Sequence, residues 1–139
     1  MKTQRVTSIA VALLGSLLSV APVSAGSKQT DDASERLYLL YCSSCHGTGG
    51  KGDGALAPVL DVHPSDLTQI AKQNGGTFPY SEVFRSIDGR KSVRAHGTAD
   101  MPVWGDVFLA GPTAPLSAQL EGAGKLFLIT AHLETLQEK

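Results

Sequence analysis

The chain has 139 residues, of which 42% are apolar and 18% charged, and its formal net charge is −1. A length of this order holds one domain, and the composition excludes a disordered tail, a nucleic-acid binder driven by basic excess and a polytopic membrane protein. Aromatic residues reach only 6%, with a single Trp. That is sparse for a self-sufficient core, so something other than side chains is expected to fill the middle.

Lys2 and Arg5 open the chain, an apolar run follows from Ile9 to Val20, and Ala21-Pro22-Val23-Ser24-Ala25 comes next. A basic start, a short apolar stretch and small residues before a cut read as a secretory signal over residues 1–25, removed after Ala25. The run falls short of the roughly 20 apolar residues a spanning helix needs; an uncleaved anchor is the alternative. Removal takes two of the twelve basic residues and none of the thirteen acidic ones, so the mature chain carries −3. No later apolar run exceeds six residues, so the mature protein is expected to be exported and to lack a membrane span.

Residues 26–33 read as a flexible polar lead-in, and residues 34–139 as the domain. Asp32 or Ser34 caps a helix that runs into Cys42-Ser43-Ser44-Cys45-His46, with Ser34, Tyr38, Tyr41 and Cys45 spaced for one face. These are the only cysteines of the chain. A disulfide across two residues removes little chain entropy, so a structural bridge fits poorly. No alternating strand leads into the pair, as a redox dithiol would ask. A zinc site lacks a second pair of soft ligands, because His63, His96 and His132 are scattered. The C-x-x-C-H spacing instead matches covalent haem attachment: two thiols one helical turn apart add to the two vinyl groups on one porphyrin edge, with the His46 imidazole held at the iron.

Five glycines among residues 47 to 54 break regular structure and suit a loop lying tight against a flat cofactor. A phosphate cradle fails, since Gly52 rather than Ser or Thr follows Lys51 and no strand precedes it. Pro64-Ser65-Asp66 starts a short helix with Leu67, Ile70 and Ala71 inward, ended by Asn74-Gly75-Gly76. Another begins at Pro79-Tyr80-Ser81-Glu82, carries apolar Val83, Phe84 and Ile87, and stops at Gly89. Arg90 to Gly105 and Ala110 to Pro115 read as irregular. From about Leu116 the pattern turns helical, with Leu126, Ile129, Leu133 and Leu136 in one stripe. Gly122 and Gly124 weaken its beginning, so the firm helix is expected from Gly124. The fold class is all-α.

From about Ser34 to Gln137 the chain resembles the class I c-type cytochromes, monohaem bacterial electron carriers. The matching features are Tyr41-Cys42-Ser43-Ser44-Cys45-His46-Gly47, Gly49-Gly50-Lys51-Gly52-Asp53-Gly54, Asp66-Leu67-Thr68, Met101-Pro102-Val103-Trp104 and Leu133-Glu134-Thr135-Leu136, in that order. The resemblance implies a cytochrome c fold, small helices and loops wrapped around one haem c bound through Cys42 and Cys45. It implies that the first and last helices cross, with Ser34 and Tyr38 at the crossing and His132 where the family offers an aromatic. His132 is expected to be a packed imidazole rather than a ligand.

Met101 is the one methionine left after signal removal, and it stands in a loop between Asp100 and Pro102. A soft thioether there fits the sixth iron position, and the resemblance places it so; a His/Met pair favours reduced iron. His96 is the rival ligand, and His63 reads as a surface or propionate neighbour. The resemblance also implies that the Pro58 carbonyl accepts the outer N–H of His46, that Leu60 lines the haem wall, and that the Trp104 indole reaches a propionate. Arg85, Arg90, Lys91 and Arg94 are further propionate candidates, at least two of them expected to be plain surface charges.

The function expected from this reading is outer-sphere transfer of single electrons in the bacterial periplasm, with no substrate and no enzymatic activity. The carrier is expected to be monomeric and to meet redox proteins transiently. Two alternatives stand beside it. One is a dedicated electron-transfer subunit of a dehydrogenase, reductase or oxidase, docking through Gly111 to Leu116. The other is a haem peroxidase or gas sensor with an open sixth site.

Overall fold

The computed structural model describes residues 26–90, 101–109, 111 and 113–138. The signal segment, Lys91, Arg94 and His96 lie outside the described residues. Among the described residues the elements are α1 (Gly26–Tyr41), α2 (Ser43–His46), α3 (Ile70–Gln73), α4 (Tyr80–Asp88), α5 (Trp104–Leu109) and α6 (Leu116–Thr135), with 3-10 turns at Ala57–Val59 and Leu67–Gln69. No strand forms among them, in keeping with the all-α class.

The long α6 is the element against which α1, α4 and α5 pack. Its Leu126, Ile129 and Leu133 are buried with Tyr38 of α1, Val83 and Ile87 of α4, and Phe108 of α5. Full burial of side chains of this kind stabilises by about 1.5–3 kcal/mol each, so this cluster dominates folding. At the crossing of α1 and α6, Ser34 is buried and the Tyr38 ring lies 4.9 Å from the His132 ring, tilted by 36°. His132 is thus a packed imidazole against Tyr38.

Three elements differ from the sequence reading. Helix α1 starts at Gly26, so residues 26–33 form its first two turns instead of an irregular lead-in. Ser34 is no cap: its Oγ donates to the Asp31 carbonyl at 2.8 Å, inside the helix. The residues from Lys28 to Asp32 are exposed, so their polarity marks a solvent face and not a break. Helix α5 forms where no helix was expected, as six residues give no periodic signal. Trp104 stacks on Phe108 at 5.2 Å, and Phe108 is buried against α6. Packing holds this short helix, since isolated ones are marginal.

Helix α6 begins at Leu116, well ahead of Gly124, with Pro115 as its N-cap. Gly122 does not weaken it but lets α5 approach, because a Cβ there would land on the Phe108 carbonyl. Gly124 has open space around its Cα. Denaturant titration therefore separates the two glycines. Gly124→Ala gains up to about 1 kcal/mol of helix propensity. Gly122→Ala loses stability, overpacking costing about 1–3 kcal/mol. A stabilising Gly122→Ala would contradict the close contact.

Candidate functional site

Helix α1 passes directly into the Cys-x-x-Cys-His segment. The Cys42 N–H still donates to the Tyr38 carbonyl at 2.8 Å, and the His46 N–H donates to the Cys42 carbonyl at 2.9 Å. Cys42, Cys45 and His46 are all half-buried. The glycine loop then folds back along this segment. The N–H groups of Gly52, Gly54 and Leu56 donate to the carbonyls of His46, Cys45 and Ser44 at 2.9, 3.1 and 2.9 Å. Gly54 lies so close to Ser44 and Cys45 that a Cβ would strike their backbone. From above, the Tyr38 hydroxyl donates to the Gly47 carbonyl at 2.6 Å. The residue after His46 is therefore held from two sides.

The His46 Nδ1–H donates to the Ser65 carbonyl at 3.2 Å. A carbonyl only accepts, so this bond fixes the tautomer and puts the ring lone pair on Nε2. The acceptor differs from the expected one. Pro58 is exposed in the turn Ala57–Val59 and lines neither of the two cavities that His46 lines. Spacing counted across a loop misplaces the acceptor here because the chain at Pro64 lies against Gly52, which brings Ser65 under the ring. A main-chain acceptor leaves no side-chain signal in the sequence.

Two cavities meet at this segment, and both are lined by Cys42, His46 and Met101. One, of about 220 Å³, is walled by the core side chains Tyr38, Leu67, Ile70, Ile87, Ile129 and Leu133. The other, of about 400 Å³, is walled by Tyr41, Cys45, Leu56, Leu60, Val62 and Trp104. The larger falls within the roughly 300–1,000 Å³ usual for a small-molecule or cofactor site, and the smaller adjoins it below that size. Leu56 and Val62 are 46% and 49% exposed, so the larger cavity reaches the surface between them.

The structure thus brings together Cys42, Cys45, His46, Met101, Leu60 and Trp104, and leaves Pro58 outside. His63 also lines the larger cavity, exposed, with its Nδ1–H donating to the Pro64 carbonyl at 2.9 Å. Arg85 pairs with Glu82 at 3.3 Å and Arg90 with Asp88 at 2.7 Å, both at the surface. Tyr41, on the inward stripe of α1, makes edge contacts with Trp104 and Phe108 at 5.5 and 4.9 Å. Val62 joins the site without having been singled out in the sequence, and Pro64 and Ser65, expected only as a helix start, join it too.

Burial pushes the Cys42 thiol up to about 12, and the negative charge of Cys45 adds to the effect. A dithiol that exchanges disulfides needs the opposite, a thiol made acidic by nearby positive charge. Among the described residues no three His, Cys, Asp or Glu side chains gather closely enough to hold a metal ion by themselves. Comparison with protein-family models, with curated proteins and with solved structures found no match for this chain.

His132, through Tyr38, stands behind the whole arrangement. Burial lowers its pKa below the ordinary 6.5, and the nearby Glu35 carboxylate offsets part of that. A depressed imidazole pKa means the unfolded chain binds the proton more readily, so stability rises with pH across this range. It is complete above 6.5 and declines as the pH falls through 6.5 toward the lower folded value. Thermal melts between pH 5 and 8 are expected to show that decline in the wild type and a flatter profile in His132→Phe, which keeps a ring against Tyr38. An unchanged profile in the variant would assign the decline to other groups.

Proposed function

We propose that this chain is a monohaem electron carrier of the class I cytochrome c type, exported to the bacterial periplasm after removal of residues 1–25. The observation that carries the reading is the meeting of His46 and Met101, from opposite halves of the chain, in the walls of two adjoining apolar cavities that also take in Cys42.

The residues present fit a haem. Cys42 and Cys45 stand one turn apart and supply thiols for two thioether bonds. His46 presents Nε2, its tautomer set by the Ser65 carbonyl. Met101 offers a thioether in the wall of the same cavities, neutral and soft, which favours the reduced state of a haem iron. A haem held there supplies one-electron Fe(II)/Fe(III) chemistry.

The remaining residues keep that site dry and hold it still. Leu60, Leu67, Ile70 and Leu133 offer no proton and no hydrogen bond, so they exclude water from the ligand side chains. Trp104 stands at the wall of the larger cavity, where its indole N–H can donate to a propionate. Leu56 and Val62 edge the opening through which electrons would leave to a partner. With no substrate bound, the carrier acts as a monomer in transient encounters with other redox proteins.

Optical spectra of protein matured with haem in a bacterial periplasm test the reading, taken oxidised, reduced, and reduced under carbon monoxide. The expected result is a weak long-wavelength sulfur-to-ferric-iron band and a reduced spectrum unmoved by carbon monoxide, with both properties lost in Met101→Ala. An inert reduced spectrum without the band would transfer the sixth position to His96. A large carbon monoxide shift in the wild type would mean an open iron and a haem enzyme or sensor.

A further inference from the structure

Beyond α6 the chain turns back over the segment that precedes α4. Gln137 commits its whole side-chain amide to main chain there. Its Oε1 accepts from the Ala71 N–H at 2.8 Å, and its Nε2 donates to the carbonyls of Leu67 at 2.8 Å and Leu133 at 2.7 Å. The orientation of the amide is fixed by these partners, since an N–H can only donate and a carbonyl can only accept. The three bonds tie the end of α6 to the stretch from Leu67 to Ala71.

That stretch needs the tie. It consists of one 3-10 turn and a single turn of α3, too little helix to hold itself together. Two of its side chains, Leu67 and Ile70, wall the smaller cavity beside His46 and Met101. On its other flank the Leu67 N–H donates to the Gly50 carbonyl at 2.7 Å. The neighbouring Glu138 holds the stretch through its main-chain N–H, which donates to the Thr68 carbonyl at 2.9 Å and is untouched by a side-chain change. Its carboxylate meets Lys51 at 3.2 Å and Gln69 at 2.8 Å, both at the surface.

We propose that Gln137 is a positioning residue that fixes the Leu67 and Ile70 wall of the cavity, and thereby sets the reduction potential of the group held between His46 and Met101. The proposal rests on the haem reading given above. When the three bonds are lost the wall loosens and water reaches the ligand side chains. Water favours the more highly charged ferric state, so the potential falls.

Spectroelectrochemical titration of the haem-loaded protein tests this, with wild type, Gln137→Met, Gln137→Ala and Glu138→Gln. Met keeps the length and bulk of the side chain while removing all three bonds, which guards the fold. Both Gln137 variants are expected to be more oxidised at a given electrode potential by about tenfold, a fall of about 59 mV for one electron. Glu138→Gln, which removes the charge paired with Lys51 and keeps an amide oxygen able to accept from Gln69, leaves the potential in place. Equal potentials in wild type and Gln137→Met overturn the proposal even if that variant melts earlier, because the role would then be structural alone. A wild-type chain that takes up no haem overturns the haem reading and this proposal together.

Discussion

The buried hydroxyl of Tyr38 donates to the Gly47 carbonyl at 2.6 Å, and its ring lies against His132 at 4.9 Å. An unpartnered hydroxyl in that position would cost about 1–3 kcal/mol. The bond therefore couples two things that the chain keeps far apart in sequence: the crossing of the first and last helices, and the loop that leaves His46. Once Tyr38 is fixed, Gly47 is fixed, and the return of residues 52–56 along residues 44–46 follows from the hydrogen bonds available to it. The imidazole of His46 then meets the Ser65 carbonyl. The same ring of Tyr38 also walls the smaller cavity. One side chain thus joins packing, loop closure and site.

The two cavities follow from the composition. With few aromatics, side chains leave space between α1, α4 and α6 in the smaller cavity, and between the haem-motif segment, residues 56–65 and Trp104 in the larger. Leucines, isoleucines and two valines line the walls instead. What remains between them is apolar, flanked by two thiols, an imidazole of fixed tautomer and a thioether. For Cys42 the same burial keeps the thiol protonated, which suits a permanent covalent bond made during maturation better than repeated disulfide exchange. On the haem reading proposed above, neutral ligands and dry walls would favour a reduced iron.

Much of this was legible in the sequence where a local signal coincides with a packing requirement. Pro79 and Gly89 bound α4, and Val83 and Ile87 are buried as their spacing indicates. Leu67, Ile70 and Ala71 face inward, with Asp66 capping the first turn through the Thr68 N–H. The stripe on α6 was equally plain. Elsewhere the signal was absent or misleading. Polar residues after Gly26 suggested a mobile lead-in but are the outer face of a helix. Gly122 suggested a weak helix, yet its missing side chain is what the Phe108 backbone demands. The six residues of α5 are helical because of what they rest on. The Ser65 carbonyl belongs to no side chain at all, so no residue type could have indicated it in place of Pro58.

The central claim is that Cys42 and Cys45 hold a haem covalently, and the intact mass of the protein after maturation in a haem-attaching bacterial periplasm tests it most directly. Addition of two thiols across two vinyl groups releases no atoms. The predicted mass is therefore that of the exported chain plus one whole haem, returning to the bare chain in the double variant Cys42→Ala, Cys45→Ala. A chain recovered without haem and lighter by two hydrogens would reveal a Cys42–Cys45 disulfide and contradict the account.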